Sequence, residues 1–98
     1  MTPIRLINAA SELPEAWSSC VLAAIGDACL KLLRMDEAAY PEECHDYAEG
    51  LLVLDGEMVL SMQGTIMRVG AGELCIVPAG VPHSVAPGSR STLLILDS

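Results

Sequence analysis

The sequence predicts an all-β fold, an antiparallel sandwich or barrel. Three observations carry this. Beyond Gly50 the apolar runs are too short for helices. Turn-forming residues punctuate them at Asp55-Gly56, Gln63-Gly64, Gly70-Ala71-Gly72 and Pro78-Ala79-Gly80-Val81-Pro82. Glu57–Met62 alternates with period two, placing Glu57, Val59 and Ser61 on one face and Met58, Leu60 and Met62 on the other.

Taken in order, Ile4 to Ile7 alternate weakly and read as a short first strand. Ser11 is a candidate N-cap, followed by Pro14, for one helical turn at most. Trp17 reads as a lid over one end of the barrel. From Cys20 to Met35 two readings stand. Leu22, Ile25, Cys29 and Leu33 would line a helix face, whereas Gly26-Asp27 would join strands Cys20–Ile25 and Ala28–Arg34 into a hairpin. Leu51–Leu54 is a strand ending at Asp55-Gly56, read as a two-residue hairpin turn because both central positions favour positive φ. Glu57–Met62, Thr65–Val69, Glu73–Val77, Val81–Ala86 and Thr92–Asp97 complete the strands. Leu51–Leu54 and Leu93–Leu96 are apolar on both faces, so a cover is required, either the N-terminal segment or a second copy of the chain.

At 98 residues the chain fits one domain. It has no Phe, one Trp and two Tyr, so Leu, Val, Ile, Met and Ala must build the core. A small domain this apolar hides more surface by pairing with itself, and a homodimer is expected. Net charge is −8 with five scattered cations, Arg5, Lys31, Arg34, Arg68 and Arg90. Nucleic acid and anionic membranes are therefore not expected as partners. No secretory leader or membrane-length apolar run is seen, and the four cysteines form no C-x-x-C pair. A cytoplasmic protein with reduced thiols is expected.

Two stretches carry chemistry. The first runs from Glu43: Glu43-x-His45, three residues, Glu49, six residues, Gly56. The second is Gly72, five residues, Pro78-x-Gly80, two residues, His83. Both resemble the paired motifs of the cupin family, and the resemblance covers about two-thirds of the chain. The second stretch matches spacing for spacing except that Pro87 stands where the family has a closing asparagine. In the first, Glu43 stands where the family has its first histidine. A four-residue spacing would instead put Cys44 and Glu42 at the histidine positions; the three-residue spacing keeps His45 as a ligand. The resemblance implies a small antiparallel jelly-roll β-barrel. Residues 1–40 would supply cover and two N-terminal strands, which favours the hairpin of Cys20–Ile25 with Ala28–Arg34, and residues 43–86 would hold both motifs.

The resemblance further implies His45, Glu49 and His83 as ligands of one divalent ion, with Glu43 either a fourth ligand or a solvent-facing carboxylate. Two imidazoles with carboxylates suit Fe, Mn, Ni, Zn or Co without choosing among them. His45 and His83 are the only histidines in the chain. Cys44 would alternate away from the face of Glu43 and His45 and reads as a packed or exposed thiol, Tyr47 as a surface residue. The implied function is a small metal-binding cupin. It could be an oxygenase- or isomerase-type enzyme acting on a small organic molecule, a module binding such a ligand without turnover, or a domain with a vestigial pocket serving in assembly. The sequence leaves the choice between catalysis and binding open.

Overall fold

The computed structural model describes residues 2–98. One short helix, α1 (Leu6–Ser11), precedes eight strands: β1 (Cys20–Ile25), β2 (Ala28–Met35), β3 (Tyr40–Glu43), β4 (Glu49–Met62), β5 (Thr65–Gly70), β6 (Leu74–Val77), β7 (His83–Val85) and β8 (Ser91–Asp97). Pairing is antiparallel throughout, in the order β1-β2-β8-β4-β7-β3, with β5 and β6 also on β4. The antiparallel sheet curls around one core as a half-barrel, in line with the small antiparallel barrel that the resemblance implied. Val53, Met58, Leu60, Val77 and Leu93 are its most enclosed members, at 0–1% exposure.

β4 organises the molecule. Its first half lies between β6 and β8, its second between β5 and β7. The expected hairpin turn at Asp55-Gly56 is not there: the strand runs through it, with a register shift against β8 between Val53 and Asp55. That shift is a β-bulge, and it changes the parity of the strand. Glu49, Leu51 and Val53 face inward before it, Met58 and Leu60 after it, so odd positions give way to even ones. Gly56 takes a φ of 72°, and a Cβ there would overlap the Arg90 carbonyl oxygen, so only glycine lets β8 approach. Gln63-Gly64 is a tight turn, with φ of 53° and 76°, closing β4 onto β5.

The N-terminal segment departs from expectation. Ile4 to Ile7 do not form a strand; Leu6–Ser11 is helical. Ala9 and Ala10 are strong helix formers, and the helix buries Ala10 to 1% while packing on β2. Ser11 is the last helical residue rather than a cap, its hydroxyl donating to the Asn8 carbonyl at 2.7 Å. The Cys20–Ile25 and Ala28–Met35 hairpin forms around Gly26-Asp27, with Gly26 at a φ of 59°. β3 was not expected, and β7 is shorter than the expected Val81–Ala86 strand.

Candidate metal centre

Three segments bring the four candidate ligands together. Glu43 closes β3 and pairs in register with His83, the first residue of β7. Glu49 opens β4, held by its pairing with Val77 on β6 rather than by any turn at Gly56. His45 sits in the loop between them, and the Gly80 amide donates to its carbonyl at 2.7 Å, tying that loop to the Pro78–Pro82 turn. Glu43, His45 and His83 each offer one ligand atom within 4.8 Å of the others. Glu49 Oε1 lies 3.1 Å from His83 Nε2 and 3.6 Å from His45 Nε2, and Glu43 Oε2 lies 3.5 Å from His45 Nε2. Glu43 therefore faces the cluster, not solvent, although it remains partly exposed.

The tautomer of His83 follows from its surroundings. Its Nδ1 is 3.1 Å from the Val81 carbonyl, which can only accept, so Nδ1 carries a proton. Nε2 then confronts the Glu49 carboxylate either with a second proton or with a lone pair. Two facing lone pairs at 9% exposure would be costly unless a proton or a metal ion lies between them. A backbone carbonyl on the far nitrogen is also how a ligating histidine is usually oriented. The donor set, two imidazoles and two carboxylates, fits a divalent transition ion. His45 is steadied by its stack on Tyr47, with centroids 4.9 Å apart. The Glu43 charge, together with burial, pushes the Tyr40 phenol above its ordinary 10.0. Tyr40 is thus a neutral phenol beside Glu43. Cys44 is exposed.

The cluster lies at one side of a cavity of about 180 Å³. Leu33, Leu51, Leu60, Val85, Leu93 and Ile95 form its apolar wall. Trp17, Tyr40 and Tyr47 also line it, so Trp17 is part of the wall, and Tyr47 is half-buried rather than a surface residue. Sequence reading missed one polar feature, the ion pair of Lys31 Nζ with Asp97 Oδ2 at 2.8 Å. The available signal was alternation: Lys31 shares the inward face of Leu33, and Asp97 that of Leu93 and Ile95.

A sequence profile described as the cupin domain matches residues 33–97. The chain belongs to the cupin family. This cupin is 40% identical over 58 residues to quercetin 2,3-dioxygenase of Bacillus subtilis (strain 168), an alignment covering 58% of the chain but only 17% of that relative. In structure it is similar to a cupin-2 domain containing protein from Shewanella frigidimarina NCIMB 400, with a TM-score of 0.86, 24% identity, and coverage of 95% of this cupin and 91% of the other chain. It is also similar to protein NMB1881 from Neisseria meningitidis, with a TM-score of 0.85, 21% identity and 98% coverage of both. At these identities the structural likeness shows the fold alone. No helix among the described residues is long and apolar enough to cross a membrane.

Proposed function

We propose that this cupin binds one divalent ion (Fe, Mn, Ni, Zn or Co) through His45, Glu49 and His83, with Glu43 as fourth ligand, and takes a small organic molecule into the adjoining cavity. The observation that carries the reading is the His83 ring, fixed by the Val81 carbonyl so that Nε2 meets the buried Glu49 carboxylate. Such an ion, when bound, supplies Lewis-acid or redox chemistry at the polar side of the cavity. The protein's own groups hold and orient. Tyr47 backs His45, and the leucine wall excludes water around an apolar ligand. The cavity corresponds to roughly six water volumes, which favours a molecule of modest size. The partial likeness to a dioxygenase supports an oxygenase-type activity. Four free thiols support a reducing, cytoplasmic setting.

Untagged protein titrated calorimetrically with each ion at neutral pH is expected to take up one equivalent, and His83→Ala to lose it. Because the ligands must be deprotonated, uptake should weaken as pH falls. No uptake of any of the five ions would sink the metal reading. Loaded protein offered a panel of small molecules under oxygen then separates turnover from simple binding.

A further inference from the structure

We propose that the Lys31–Asp97 pair is the anchoring subsite for the carboxylate of a small, flat molecule bound in the cavity. This deepens the reading of the cavity as a small-molecule site and rests on it.

The pair is hard to explain by folding alone. Asp97 has a side chain only 6% exposed and Lys31 one 27% exposed, beside Leu33 and Leu93. Desolvating a buried pair commonly costs as much as its attraction returns, so fold stability does not by itself account for this one. An ammonium has three donors, and the structure gives this one a single partner. Two remain for the cavity that both residues line. Lys31 is held as a cation by the Asp97 hydrogen bond, which raises it from 10.5. It is therefore a donor, not a base or nucleophile at neutral pH.

Register places this subsite beside the metal centre. Gly50 pairs with Leu96, so Asp97 lies one step further along, next to Glu49. Lys31 pairs with Ile95, which pairs with Leu51. That puts Lys31 two strand spacings from β4, about 10 Å. A molecule of benzoate size could thus face the His and Glu cluster with one edge and Lys31 with its carboxylate. The walls suit a flat body. Every aromatic residue in the sequence, Trp17, Tyr40 and Tyr47, lines this one cavity. Trp17 and Tyr40 are stacked at 5.2 Å, and aromatic faces favour flat partners.

The test uses benzoate as probe and benzamide as its neutral counterpart. Binding is read by calorimetry and by the fluorescence of Trp17, the sole tryptophan. Benzoate is expected to saturate and to bind more tightly than benzamide. Lys31→Met should weaken benzoate about tenfold or more and leave benzamide unchanged. Asp97→Asn should tighten benzoate, because the ammonium loses its competitor. Opposite shifts in two variants cannot come from a general loss of folding, and if Lys31→Met fails to fold, Asp97→Asn decides alone. Failure of wild-type protein to bind millimolar benzoate, absence of preference over benzamide, or benzoate affinities unmoved by the variants would each overturn the proposal. Every titration is run with and without one equivalent of zinc, and zinc uptake is measured separately. Lys31-dependent benzoate binding by protein that takes up none of the five ions would overturn the metal reading and leave the subsite standing. Zinc uptake without Lys31 dependence would do the reverse.

Discussion

Trp17 adopts a φ of 67°, a backbone conformation that a bulky side chain rarely takes. Three contacts hold it there: its amide donates to the Arg34 carbonyl, its indole donates to Asp36, and its ring stacks on Tyr40. The indole bond, with a further one from the Ala38 amide, holds the Asp36 carboxyl below its ordinary 3.8. A carboxyl lowered on folding adds stability that is present above pH 3.8 and is lost as pH falls through the folded value. Trp17→Phe removes the indole donor. The gap in denaturation midpoint between wild type and variant is expected to be widest near neutrality and to narrow in acid. A gap that stays constant down to pH 2 would place the whole effect in packing. Glu43 invites a second substitution. Its Oε2 is 3.5 Å from His45 Nε2, so Glu43→His should tighten metal binding in calorimetry, whereas an unchanged affinity would show that the side chain turns away in solution.

At the scale of the element, the bulge in β4 decides whether Leu51 and Leu60 can both line one cavity. Gly56→Ala should cost on the order of 3 kcal/mol or more, since strain at φ of 72° adds to overlap with the Arg90 carbonyl. In a domain this small that lowers Tm by about 10 °C or more. Gly64→Asn is the counterpart, with φ of 76° but open space around it, and should change Tm by only a few degrees at most. An equal loss in both variants would put the cost in φ alone. The same position shows where sequence reading stops. Asp-Gly is as suitable for a bulge as for a hairpin turn, and the choice is made by Arg90 and by Ser91 at the start of β8, far along the chain. The shared face of Met58, Leu60 and Met62 was legible from alternation, and Met58 and Leu60 are buried on it. The spacing of Glu43, His45, Glu49 and His83 was also legible, and the structure draws these four together. Lys31 and Asp97 were not, because they are 66 residues apart and meet only through the pairing of β2 with β8. α1 was misread because four alternating residues carry less information than the partner strand they lacked.

At the scale of the molecule, the outer face of the sheet is unusual. Leu30 and Leu96, then Gly50 and Ile76, form one row; Leu32, Leu94, Leu52 and Leu74 form the next. α1 lies against β2, where Leu32 is buried, while Leu74 and Ile76 are left 55% and 56% exposed. An apolar face without charge suits a second copy of itself. Wild type is expected to sediment as a dimer, and the double variant Leu74→Glu, Ile76→Glu as a monomer. Monomeric wild type at micromolar concentration would end the dimer reading. One further consequence follows from β4, which hydrogen-bonds to four other strands. No neighbour can peel away without breaking bonds to this shared strand, and Glu49, at its start, sits between β6 and β8. Glu49 and the core should therefore open in a single cooperative event. The β4 amides flanked on both sides would exchange with solvent hydrogen only through whole-molecule unfolding. Edge strand β1 and helix α1 would exchange earlier, by local fraying.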